Sequence, residues 1–199
     1  MNLLNKLKLV TGFKSEEKEV KNKNSQYEVL KTDTVDVIFA KTLIKNNGNF
    51  FYCQKNDDLI KTIYALNEKL DIQSLYCIEP ILQELIDRAN LKSNKKDYQD
   101  CDAVLSSCEY LIAQEAKIML SSKQLASNNI KNLPKEHIII AYTSQIVKNL
   151  NEAMGGLNKR YITNLPSTIT TIKSKKIIEN ENKDGHVKKL SVLLVEDYQ

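Results

Sequence analysis

The sequence predicts an α/β domain, a mostly parallel sheet with helices on both faces, and three observations carry that prediction. Helical and strand-like patterns alternate from Asp33 onward. The strand-like runs are short and almost continuously apolar, as strands covered on both faces are. Polar clusters follow several of these runs, and an open α/β sheet places its binding residues at that end of its strands. The plainest run is His137-Ile138-Ile139-Ile140-Ala141-Tyr142.

Each element has its own local reason. Val35, Ile38, Phe39, Thr42 and Leu43 fall at helical spacing, and Asn46-Asn47-Gly48 supplies a C-terminal stop. A strand at 49–53 follows. Asn56 or Asp57 caps a second helix with Leu59, Ile63, Leu66 and Leu70 on one face, and residues 74–78 read as a strand. Pro80 opens a third helix, at the position where a missing N–H costs nothing, burying Leu82, Leu85, Ile86 and Ala89. Helix and strand alternating in this way imply right-handed crossovers between parallel strands.

The stretch from Asp102 to Ser122 reads as strand, polar corner, short helix or loop, then strand, and the Asn-rich residues 121–133 as a loop across the sheet end. After the strand at 137–142, Thr143 or Ser144 is expected to cap a helix burying Ile146, Val147, Leu150 and Ala153 and ended by Gly155-Gly156. Pro166-Ser167-Thr168 looks like a further helix start, whose free N–H groups would suit an anion. Residues 179–189 read as a charged loop and 190–195 as a last strand.

The 199 residues divide into an N-terminal amphipathic helix with a charged linker, 1–29, and an α/β domain, 30–199. A composition of 42% hydrophobic and 27% charged residues argues against wholesale disorder. Twenty-nine basic and 25 acidic residues are interspersed, for a net charge of +4, and Arg is scarce among the lysines, so nothing points to nucleic acid. No run approaches the ~18 apolar residues of a membrane span. Cys53, Cys77, Cys101 and Cys108 form no CxxC pair, and His137 and His186 lie far from them, which argues against a metal centre or a disulfide framework. Cys53 and Cys77 end apolar runs as small core residues, whereas Cys108 lies at the polar corner. The expected compartment is a reducing cytoplasm, and no cofactor loop such as GxGxxG is present.

The carboxyl rim of such a sheet is expected to gather residues 106–115 and 163–173 into one cleft. Ser106, Ser107, Gln114, Thr163, Ser167, Thr168 and Lys173 are the ligand-binding candidates, and Glu115 is the candidate base or nucleophile. Glu109 and Glu115 each also fit surface or capping acids. His137, opening a strand, fits a structural hydrogen bond better than proton transfer.

The order of these segments resembles the LUD domain, found in lactate-utilisation protein C and its relatives. It runs from the acidic-Ala apolar strand through the Leu111-Ile112-Ala113 corner, Leu133-Pro134, the 137–140 run and Ile162-Thr163 to Leu190-Ser191-Val192-Leu193-Leu194-Val195. The resemblance implies a sheet like that of sugar-phosphate isomerases and CoA-transferases, and a link to the oxidation of L-lactate beside iron–sulfur partner proteins. There are departures. Where family members commonly show Ala-Glu-Thr-Gly-Thr, this chain has Ala113-Gln114-Glu115-Ala116-Lys117; where they show Gly-Pro-Ser-Arg-Thr, it has Asn164-Leu165-Pro166-Ser167-Thr168, with the Arg absent and Lys173 left to supply charge. An accessory or binding component with a degenerate ligand site, without catalytic activity of its own, is therefore expected. The alternative is a transferase or isomerase acting on a phosphorylated, CoA or carboxylate ligand.

Overall fold

A computed structural model describes residues 27–174 and 185–197, so the N-terminal helix and most of the linker lie outside the described residues. The helices are α1 Val35–Lys45, α2 Asn56–Leu70, α3 Pro80–Arg88, α4 Ser122–Leu125 and α5 Leu150–Arg160. The strands are β1 Asn49–Cys53, β2 Leu75–Tyr76, β3 Ser93–Asn94, β4 Ala103–Ser106, β5 Tyr110–Ile112, β6 Lys117–Ser121, β7 Glu136–Tyr142, β8 Ile146–Val147, β9 Ile169–Ser174 and β10 Val187–Val195. In the order β3-β2-β4-β7-β10-β1 they form a parallel sheet. Its longest strand, β10, forks: residues 187–188 pair with β9 and residues 191–195 with β1. A mixed sheet, β9-β6-β5-β8, continues from the fork, with β6 antiparallel to both neighbours.

Side chains alternate across the parallel sheet, and each parity has its own cover. Ala103, Leu105, Ile138, Ile140, Leu193 and Val195 meet α2 and α3 through Leu59, Ile63, Leu66, Leu82 and Ile86. Val104, Ile139, Ala141, Val192 and Leu194 meet α1, through Val37, Phe39, Ala40 and Leu43, and the inner face of the β5–β6 hairpin. Burying such a side chain contributes about 1.5–3 kcal/mol, which is why the apolar runs carry almost no polar residues. Cys53 and Cys77 are among the buried residues, as expected.

Several expectations need correction: Lys55, not Asn56 or Asp57, stands at the N-cap of α2, and α4 opens the stretch at 121–133 expected to be loop. Residues 143–149 are not the first turns of a helix: Thr143–Gln145 form a 3₁₀ turn, and Ile146 and Val147 pair with Leu111 and Ile112 as a strand. Asn149 is the true N-cap, its side chain accepting from the N–H of Glu152, and Gly155-Gly156 lies inside α5. No helix starts at Pro166; the β-branched run Ile169-Thr170-Thr171-Ile172 instead makes β9, which pairs along β6. Finally, β10 begins at Val187 rather than Leu190, because Val187 and Lys188 are held by Lys173 and Ser174.

Two ionisable groups are buried in this frame. Lys188 is 4% exposed and donates to the carbonyls of Ile130 (2.7 Å) and Leu133 (2.9 Å), pinning the Asn-rich loop under the sheet. His137 is fully buried and shares a 2.9 Å hydrogen bond with Ser106 Oγ, the structural role expected of it. Burial, with Lys188's charge behind it, lowers the imidazole to about 3, so it is neutral at physiological pH.

Burial also lowers the Lys188 ammonium from 10.5 to about 8. Between these values the unfolded chain holds more protons than the folded one, so the lysine makes stability rise with pH there and adds nothing below about 8. Burial lifts Cys53 and Cys77 to about 11 from 9.0, which acts in the opposite sense above pH 9. Comparison with Lys188→Met isolates the lysine: wild type is expected to gain about 1 kcal/mol on the variant between pH 7 and 9 in chemical denaturation. Parallel profiles would contradict the buried charge.

The glycine pair in α5 gives a second expectation. A Cβ at Gly155 meets nothing within 4 Å, so Gly155→Ala gains helix propensity of about 0.5–1 kcal/mol. At Gly156 a Cβ would clash with Tyr110 Oη, and Gly156→Ala is expected to lose about 1–3 kcal/mol. Urea melts of the two variants should shift in opposite directions.

Candidate functional site

Where β4 and β7 end, the two layers part around a cleft of about 420 Å³. Leu59 of α2 and Ile81, Leu82 and Leu85 of α3 line it on one side; Ser107, Glu109, Gln124, Arg160 and Tyr161 line it on the other. Ile140, Tyr142 and Gln145 reach it from the end of β7.

Glu109 organises the polar side. Only 1% exposed, its carboxylate accepts from Ser121 Oγ (2.7 Å), Arg160 Nη1 (3.1 Å), Tyr161 Oη (3.1 Å) and, at 3.4 Å, Gln124 Nε2. Each donor is delivered by an element end. Ser121 and Gln124 are the reciprocal capping pair of α4, and Arg160 and Tyr161 end α5. Burying a carboxylate is costly unless it is paired and hydrogen-bonded, and Glu109 is both.

Arg160 is held a second time by Tyr110. Its Nη2 donates to Tyr110 Oη at 3.3 Å, and the guanidinium lies over the ring at 4.9 Å from the centroid. The bare Cα of Gly156 leaves room for that phenol. A guanidinium carries five N–H donors, and these contacts occupy two. The side chain remains 42% exposed, facing the cleft. Lys123 adds positive charge close by, its Nζ 3.9 Å from the centre of the Tyr161 ring.

Ser107 is held from the other side. Its N–H donates to Glu79 Oε1 at 2.7 Å and its hydroxyl to Glu79 Oε2. Burial raises the Glu79 carboxyl above its ordinary value; the Ser107 hydrogen bonds pull it back, and the charge of Glu109 raises it again. Cys108 is buried between them, and burial followed by the charge of Glu109 pushes its thiol well up, so it is not a thiolate nucleophile. The 3₁₀ turn that places Gln145 is latched by Asp197, which accepts from Thr143 Oγ1 (2.6 Å), Ser144 N (2.6 Å) and Ser144 Oγ (2.9 Å). Among the described residues no group of three His, Cys, Asp or Glu is placed to hold a metal ion. No helix there is long and apolar enough to cross a membrane.

The residues expected to share one cleft are distributed over several places. Ser107 faces the cleft, while Ser106 is buried against His137, out of a ligand's reach. Gln114, Glu115 and Lys173 line a different groove, beside Lys45 and Lys117, and Glu115 forms an ion pair with Lys117. Thr163, Ser167 and Thr168 are exposed in the loop after α5, where the Thr168 carbonyl accepts from Ser122 N. Glu109, expected as a surface or capping acid, is instead the buried centre of the polar side. Arg160, Tyr161, Gln124 and Glu79 were not candidates. The signal available for them was scarcity, since Arg160 is one of only two arginines in the chain.

The turn that departs from the family pattern takes a backbone conformation that glycine adopts most readily. Ala116, at the place of the usual Gly, has φ +48°, left-handed, with its methyl fully buried. That conformation costs an L-residue about 1–2 kcal/mol, which the packing of the β5–β6 hairpin offsets.

A family model described as LUD domain matches residues 73–195, from β2 to the end of β10. The crystal structure of a DUF162 family protein from Deinococcus radiodurans is similar at 13% identity, with a TM-score of 0.60 over 82% of this chain and 96% of that one. No curated protein matches the chain. The match across most of the sheet and the layout of the two layers agree, and the chain belongs to the LUD domain family.

Proposed function

We propose that this LUD domain protein is a binding component linked to lactate utilisation and that its ligand is a carboxylate held in the cleft by Arg160. The observation that carries the reading is the guanidinium itself: fixed by Glu109 and Tyr110, half-exposed and turned to the cleft, with N–H donors to spare. A fork of parallel donors matches a carboxylate as a single ammonium does not. Family membership supports the link to lactate, and iron–sulfur partner proteins of such an oxidation are the proposed companions, with the cytoplasm as the proposed compartment.

Thermal-shift titration with L-lactate and pyruvate tests the ligand. Arg160→Gln is expected to weaken binding about 10- to 100-fold, as loss of a charged hydrogen bond implies. Glu115→Gln and Lys173→Ala, in the other groove, should leave it unchanged. An unaltered titration for Arg160→Gln would end the reading.

One observation favours a second reading, a transferase or isomerase working on the same ligand. The Ser107 hydroxyl faces the cleft while donating to the Glu79 carboxylate, which is thereby placed to take up its proton. Under this reading Ser107→Ala and Glu79→Gln lose turnover of a carboxylate or CoA ligand while its thermal shift persists. Turnover retained in both variants would rule that chemistry out.

A further inference from the structure

Resting on the assignment of Arg160 as carboxylate anchor, we infer that the ligand is a monocarboxylate with an extended apolar body, larger than the three-carbon acids.

The two sides of the cleft come from different layers and differ in chemistry. The polar groups that would meet a carboxylate come from the loop after β4, from α4 and from the end of α5. Opposite them, α2 and α3 present Ile81 and the half-buried Leu85 over the buried Leu59 and Leu82, flanked by the exposed Asn56, Glu84 and Arg88. Arg88 lies 3.5 Å from Asp57. Ile81 is 81% exposed and Tyr142 is 43% exposed, so two large apolar side chains stand in water at the cleft, beside the exposed polar side chains of Asn56, Glu84, Arg88 and Arg160. A volume of about 420 Å³ falls in the range of roughly 300–1,000 Å³ that encloses drug-sized ligands, and a three-carbon acid would leave most of it to water. A carboxylate on Arg160 must extend any chain it carries across the floor formed by Ile140 toward α3, since the polar side behind Arg160 is closed by Glu109 and Tyr110. Apolar body and carboxylate head together match both sides; lactate matches one.

The test is a homologous series of straight-chain acids from acetate to octanoate, titrated calorimetrically below their micellar concentrations, with L-lactate and 2-hydroxyoctanoate alongside. Affinity is expected to rise about threefold to fourfold per added methylene until the apolar side is covered. Ile81→Ser, at a position exposed enough to leave the fold intact, should lower the gain per methylene for the longer acids. Arg160→Gln should weaken every member by a similar factor. A series flat in chain length yet still sensitive to Arg160→Gln overturns the apolar body and leaves the anchor standing. A rise that persists unweakened in Arg160→Gln overturns the anchor, and a rise untouched by Ile81→Ser overturns the apolar side as its source. No binding by any acid overturns both.

Discussion

Most of the molecule depends on β10 being apolar on both faces and paired on both edges. It lies beside β7 over residues 189–195, and on its other edge it meets β9 at its start and β1 further along. A strand buried in this way tolerates no polar surface, and Val192 to Val195 have none. The exceptions are informative. Ser191 hydrogen-bonds Asn49, and Lys188 is held by two carbonyls, so each buried polar group on the strand has a partner. Because β10 belongs to both sheets, the hairpin layer that carries Glu109 is placed relative to the parallel sheet that carries Ser107.

The cleft follows from that placement. β4 stops early, pairing with the first part of β7, and the chain leaves the sheet at Ser107 to start the hairpin. Its next acid, Glu109, is thereby turned inward between the sheet end and α5, where four side chains converge on it. The network is paired charge in a covered setting, where each hydrogen bond is strong and each missing one is costly. Its yield is a guanidinium with a fixed orientation at the cleft rather than one that wanders in solvent.

The alternation of helix and strand, the parallel sheet and the buried cysteines were legible because they rest on periodicity and burial, which short windows of sequence carry. The stop of α1 at Asn46-Asn47-Gly48 and the start of α3 at Pro80 were legible for the same local reason. The course from Thr143 to Asn149 was not, since Ile146 and Val147 become a strand only by pairing with residues 35 positions earlier. Nor was the site: the residues that meet at Glu109 come from 109, 121, 124, 160 and 161, and proximity of that kind is written in topology. Glu115 was preferred to Glu109 because it stands one place from the carboxylate of the family pattern; both otherwise sit in polar surroundings, and only the fold distinguishes a buried carboxylate from one paired with a lysine in water.

Ala116 holds a torsion angle that glycine usually supplies, under a methyl sealed from solvent. The demand for that bend therefore comes from closing the hairpin, since a ligand needing a naked backbone there would be blocked by the side chain. For anyone scanning genomes for relatives of this chain, the residue at the bend is a poor landmark. The geometry outlives the letter, as the match of the LUD domain model straight across Ala116 illustrates.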